Sequence, residues 1–245
     1  MKKRLLVVTA HPDDEAFGPG GTLAKYGQRE DVEIHLICGT RGELGTVNPK
    51  LQSFKDSKLK TENIREKELL DSAKILGIER VEFLDFVDGH LSNSVYHDVA
   101  KKIIEKINTF KPDVILTNDR LGVSGHLDHI AVSMITTYAW RETDVAKKLY
   151  YNALPKLMTD AERVEKYFIY FPEGYPMEAF TTIIDTTDVW EIRKKAMLAH
   201  KSQEKDAKGI IKRIEPLPKK EFFILQYHKL PQISFPESDL FAGIE

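Results

Sequence analysis

Residues 4–15 read Arg4-Leu5-Leu6-Val7-Val8-Thr9-Ala10-His11-Pro12-Asp13-Asp14-Glu15, an apolar run that stops abruptly at one histidine and three carboxylates. A short continuous run of Leu and Val fits a strand covered on both faces, as in a parallel sheet. It is too short for the apolar core of a signal segment and passes directly into charge, so it reads as a buried strand. The same event recurs three times. Glu33–Cys38 gives way to Thr40–Glu43, Val81–Leu84 to Asp85–Gly89, and Val114–Thr117 to Asn118–His129.

Between these runs lie helical patterns at Gly21–Arg29, Lys60–Leu76 and Val95–Phe110. Gly77 stands where a helix C-cap belongs, and Pro112 follows just past the next helix. Strand, helix, strand at this spacing predicts right-handed βαβ units and an α/β, doubly wound, mostly parallel sheet. Such sheets carry their working residues beyond the carboxyl ends of the strands. All four loops are therefore expected on one edge.

From about Lys148 the pattern changes. Leu149–Leu154, Tyr167–Phe171 and Phe180–Asp185 read as strands and Val189–His200 as a helix, while Pro216, Pro218, Pro231 and Pro236 mark a more irregular end. The expectation is one domain over 1–245, with a C-terminal extension from about 204 to 245 packed on it. The aromatic stretch from Phe222 to Phe241 covers this chain's own sheet edge or meets a second copy in a homo-oligomer.

A net charge of -2 gives no broad attraction to nucleic acid or to an anionic membrane. No run approaches the ~20 apolar residues of a membrane span, so no membrane anchor is expected and the cytoplasm is the default location. The single cysteine, Cys38, lies in an apolar strand and reads as a small buried residue.

The chemistry concentrates in two clusters, His11-Pro12-Asp13-Asp14-Glu15 and His126-Leu127-Asp128-His129. Imidazole and carboxylate are the usual ligands of a catalytic metal, commonly three from protein with an open position. Adjacent Asp13 and Asp14 diverge, so one can ligate while the other stays free as a general base. His126 and His129, three apart, share a face if a helix begins near Gly125; either could ligate, and Asp128 could orient an imidazole. Spacing does not choose Zn2+ over Fe2+, Mn2+ or Ni2+.

The two clusters, with Gly20-Gly21, Thr40-Arg41-Gly42-Glu43, Arg65-x-x-Glu68, Leu76-Gly77, Asp88-Gly89 and Ala199-His200-Lys201-Ser202-Gln203, closely resemble the LmbE/PIG-L family of zinc-dependent de-N-acetylases. The resemblance covers roughly residues 4 to 203 and implies a Rossmann-like fold. By motif position it implies one zinc per chain held by His11, Asp14 and His129, with Asp13 as the base that activates a metal-bound water. It implies that His126 stabilises the oxyanion or protonates the departing amine, with Asp128 as its partner. Arg65 and Asp88 match positions that hold sugar hydroxyls. Arg41, Glu43, His90 and His200 receive no role. Some family members carry a tyrosine shortly before the second cluster; Val123-Ser124 stands there in this chain.

The leading expectation is thus hydrolysis of the N-acetyl group of an N-acetylglucosamine-type small glycoside. The alternative within the same chemistry is an amidase for a thiol conjugate or other small amide. A different class, a sugar- or nucleotide-binding module with a structural metal, is disfavoured by the missing G-x-G-x-x-G after the first strand. The carboxylate left over at Asp13 argues against it as well, since a closed structural site uses four protein ligands.

Overall fold

A computed structural model describes residues 2–45, 61–159 and 172–244. Seven strands form one sheet: β1 (Lys3–Thr9), β2 (Val32–Cys38), β3 (Arg80–Phe83), β4 (Val114–Asn118), β5 (Lys148–Asn152), β6 (Thr182–Asp185) and β7 (Lys220–His228). Their order is β3-β2-β1-β4-β5-β7-β6. The first five run parallel, and β7 is antiparallel to both of its neighbours.

The helices are α1 (Asp14–Phe17), α2 (Gly20–Gly27), α3 (Thr61–Leu76), α4 (Tyr96–Phe110), α5 (Leu127–Arg141), α6 (Trp190–Ala199) and α7 (Glu204–Ile214). They cover both faces of the sheet, because the strands are apolar on both. Leu5 and Val7 of β1 join one core with Leu69 and Ala73 of α3 and Met197 of α6. Leu6 and Val8 point the other way, to a second core with Ile103 of α4 and Val132 of α5. That alternation is the two-residue period of a strand buried on both faces.

The chain order β1, β2, β3 builds outward in one direction, and β4 then restarts on the other side of β1. The crevice of such a sheet lies at this reversal, beyond the carboxyl ends of β1 and β4. The His11 and His126 clusters follow those two strands.

The end of the chain is more regular than its prolines suggest. The run Glu221-Phe222-Phe223-Ile224-Leu225 forms the middle of β7, inside the sheet, and the prolines flank the strand rather than interrupt it. Glu221 ties this strand to the first helical layer: its carboxylate accepts the Gly21 and Thr22 amides at 2.7 Å, at the positive N-terminal end of α2. The expected strand over Tyr167–Phe171 lies outside the described residues. Among the described residues no helix is long and apolar enough to cross a membrane.

Candidate active site

Pro12 has no amide hydrogen to continue the β1 ladder, and the chain turns there into α1. Asp14 locks the turn, its Oδ2 accepting the amides of Ala10 and His11 at 3.0 Å. Asp13, between them, adopts φ 110° and ψ -26°, a costly backbone for a residue with a Cβ.

The second loop is held as firmly. The Asp119 carboxylate accepts the amides of Leu121 (2.6 Å) and Val123 (3.0 Å) and the Tyr175 hydroxyl. Gly122 has φ +67°, and a Cβ there would stand 2.9 Å from Ile130 and 3.1 Å from His129. Only glycine satisfies both the angle and the approach. His126 is the N-cap of α5: its Nδ1 accepts the Asp128 amide at 3.2 Å.

These loops bring the two clusters together. His11 Nδ1 lies 3.1 Å from His129 Nε2, which lies 3.1 Å from Asp14 Oδ1. The opposite nitrogen of each ring is committed. His11 Nε2 faces Asp88 Oδ1 (3.0 Å) and Asp128 Oδ2 (3.2 Å), and His129 Nδ1 faces the Gly122 carbonyl (3.0 Å). Donation on one side leaves a lone pair on the other, the arrangement that second-shell partners impose on metal-binding imidazoles. The ligand atoms of His11, His126 and His129 also lie within 4.8 Å of one another, as do those of His11, Asp88 and Asp128.

Electrostatics point the same way. Burial opposes charge on His11, yet hydrogen bonds to Asp128 and Asp88 and the charge of Asp14 push it up to about 10. Burial also works against the Asp14 anion, but His129 and His11 hold it well below the usual carboxylate range. A pocket that favours positive charge this strongly suits a cation among His11, Asp14 and His129.

Asp13 differs from its neighbour. Burial pushes it up to about 6, against the pull of Arg65 and with the help of the Asp14 charge. Arg65, itself buried, donates to Asp13 Oδ2 (2.9 Å), Pro12 O (2.6 Å) and Gly42 O (3.0 Å). His126 is lowered to about 4 by burial and by the charges of His11 and His129, so it is neutral at pH 7. Since its Nδ1 accepts a hydrogen bond, the neutral ring carries its hydrogen on Nε2 and acts as a donor.

Eight residues expected from the sequence thus border one cavity of about 720 Å³: His11, Asp13, Asp14, Arg65, Asp88, His126, Asp128 and His129. Three of them have side-chain partners within the protein. The Asp128 carboxylate turns to His11 and to the amides of Gly89 (2.7 Å) and Leu91 (3.0 Å), so the side-chain partner of Asp128 is His11 rather than His126. Arg65 grips Asp13, and Asp88 is engaged by His11 and by the Leu44 amide. Arg41 pairs with Glu66 and Asp85, and Glu43 accepts the Asp88 amide.

Sequence reasoning did not single out Glu15, which is fully buried beneath Asp13. Its Oε2 accepts the Asp13 amide at 3.0 Å, while its Oε1 accepts Ser72 Oγ (2.5 Å) and meets His200 Nε2 (2.7 Å). The Arg-x-x-Glu and His-x-Ser motifs also resolve into contacts: Glu68 accepts both the amide and hydroxyl of Ser202.

Residues 6–140 match the family described as PIG-L, GlcNAc-PI de-N-acetylase. A mycothiol S-conjugate amidase of Streptomyces coelicolor is 32% identical, over 98% of this chain and 97% of its own length. A 1D-myo-inositol 2-acetamido-2-deoxy-alpha-D-glucopyranoside deacetylase of Actinosynnema mirum is 29% identical, over 82% of this chain and 80% of its own. Among solved structures, the N,N'-diacetylchitobiose deacetylase of Pyrococcus horikoshii superposes with a TM-score of 0.61 at 22% identity, covering 94% of this chain and 87% of that one. At that identity the likeness speaks for the fold alone.

Proposed function

This chain belongs to the PIG-L family of GlcNAc-PI de-N-acetylases, and from that premise we propose that it hydrolyses the N-acetyl amide of a small amino-sugar glycoside. The observation that carries the reading is the division of labour between adjacent carboxylates. Asp14 is drawn into the His11–His129 cluster, whereas Asp13 stands free of it with a raised pKa.

Two imidazoles and a carboxylate with their outer atoms engaged suit zinc, and we assign one zinc to His11, Asp14 and His129. When bound, the metal polarises the amide carbonyl and acidifies water. Asp13, with a pKa about 6, is mostly ionised at neutral pH and still basic enough to take the proton of the attacking water. The water oxygen bonds to the carbonyl carbon, and His126 Nε2–H donates to the oxygen on which negative charge develops. The C–N bond then breaks, and the proton held by Asp13 passes to the departing amine. Acetate and a free amino sugar result. Arg65 keeps the Asp13 carboxylate aimed throughout.

The amidase reading uses the same residues on a different substrate, a thiol conjugate or another small amide. It is favoured by the Streptomyces coelicolor relative, which matches over nearly the whole of both chains. One screen decides between them: amine release from N-acetylglucosaminides and from amide-linked thiol conjugates, with zinc added and with zinc chelated. Zinc-dependent release from the acetylated sugars supports the first reading. Release from the conjugates alone replaces it with the second.

A further inference from the structure

β4 and β5 end side by side in asparagine. Asn118 and Asn152 are register partners in this parallel pair, so their side chains leave the sheet on one face, two residues on from Leu116 and Tyr150 of the first core. There the apolar row gives out, and both amides line the cavity, each only 6% exposed. Asn152 lies against the turn that carries Asp14: a Cβ at Gly18 would stand 2.7 Å from Asn152 Nδ2 and 2.9 Å from the Asp14 carbonyl. Glycine at 18 thus leaves the amide its place. We propose that Asn118 and Asn152 form a specificity-determining pair that holds a hydroxyl group borne by the acyl group or the aglycone of the substrate. The assignment rests on the amide-hydrolase reading above and names a group which that site recognises.

Two observations carry it. Asn118 Nδ2 is buried and has no hydrogen-bond partner among the described residues. Of the buried side-chain atoms in that condition, those on the cavity belong to Asn118 and Arg65, and Arg65 already makes three hydrogen bonds. An unpaired amide is costly to bury, so a partner supplied by the ligand accounts for an asparagine where Val114 and Leu116 of the same row are apolar. The charged groups next to Gly18, by contrast, are engaged within the protein. Arg193 gives its guanidinium to the Ala16, Phe17 and Gly18 carbonyls and to Glu221, which also accepts the Gly21 and Thr22 amides. The asparagines add neutral groups that both donate and accept, which matches a hydroxyl rather than a carboxylate or an ammonium.

Substrate pairs that exchange one methyl for one hydroxyl test it and separate the two positions. N-propionyl- and N-glycolyl-glucosamine place the exchange on the acyl group; propyl and 2-hydroxyethyl N-acetylglucosaminide place it on the aglycone. In one pair the hydroxylated member should have kcat/KM higher on the order of tenfold, because its methyl counterpart leaves the buried amide unpaired. Asn118→Leu and Asn152→Leu should each bring that ratio close to one. Asn118→Leu removes an amide that the free protein leaves unpaired, so its melting temperature should be no lower than that of wild type. Calorimetric titration with the same four compounds gives the comparison as Kd. Tighter binding of a hydroxylated member, lost in Asn118→Leu, supports the pair even if no amine is released, and in that case only the assigned reaction fails. Equal kcat/KM and equal Kd within both pairs overturn the proposal. A preference that survives both variants overturns it as well, and a lowered melting temperature beside that surviving preference would mark the asparagines as structural.

Discussion

The amide of Asp13 is held by Glu15, two residues along, at 3.0 Å, and this contact fixes a backbone at φ 110°. Such a conformation costs about 1–3 kcal/mol and persists only when its surroundings enforce it. Glu15 does so because its second oxygen is pinned by Ser72 and His200, all in full burial. Glutamine at 15 keeps the volume but offers one acceptor oxygen where two are used. Glu15→Gln should therefore lower kcat on the order of 10²-fold, as misplacing a reacting group does, with KM little changed. Zinc content and the circular dichroism spectrum should match wild type. A loss confined to KM would show that Glu15 shapes the binding surface instead.

With Asp13 as the proposed base, Arg65 should set the acid limb of the pH profile. Asp13 is raised to about 6 chiefly by burial, and Arg65 is the strongest influence pulling it down. A carboxylate base works when ionised, so the rate falls as pH drops through its pKa. In Arg65→Gln that pKa rises further, and the acid limb of kcat/KM should move up by about one pH unit or more. The maximal rate should fall too, because Arg65 also holds the Pro12 and Gly42 carbonyls. If the rate falls at every pH in equal proportion, the charge of Arg65 does not tune Asp13.

The four strand-to-loop junctions were legible because buried parallel strands write themselves as apolar runs, and because His and Asp so placed have few uses. Their convergence follows from the handedness of βαβ units. What sequence could not supply is direction. Whether Asp128 faces His126 or His11 depends on how α5 leaves its N-cap, and His126 itself is that cap. Glu15 meets His200 across 185 positions in the chain, a pairing no local pattern encodes. The place of β7 was hidden for a similar reason: its run is visible, but its insertion between β5 and β6 is a non-local choice.

Chelation separates a catalytic metal from a structural one. The loop that carries Asp14 is closed by the Ala10 and His11 amides, and the loop before His129 by the Asp119 carboxylate. Both loops thus have protein-only anchors. Treating the chain with a strong chelator should abolish amine release while leaving the secondary structure intact, and added zinc should restore activity. His129→Ala should lose both zinc and activity yet remain folded. Cooperative unfolding on chelation would contradict this and make the metal part of the fold.

The chain's last segment is integral to the sheet, and one ion pair reports it. Lys148 of β5 is fully buried, and its only acidic partner among the described residues is Glu237, at 2.6 Å. Glu237 also accepts the Tyr150 hydroxyl and, at 3.2 Å, the Thr182 hydroxyl of β6. Removing one partner strands the other charge in a medium that solvates it poorly. Glu237→Leu should therefore destabilise the protein by about 3–5 kcal/mol in urea unfolding. Adding Lys148→Met removes the stranded charge and should recover most of that loss, because an apolar pair of similar volume often replaces a buried ion pair at little cost. If the double variant is no more stable than the single, the penalty lies in the lost Tyr150 and Thr182 contacts rather than in the uncompensated ammonium.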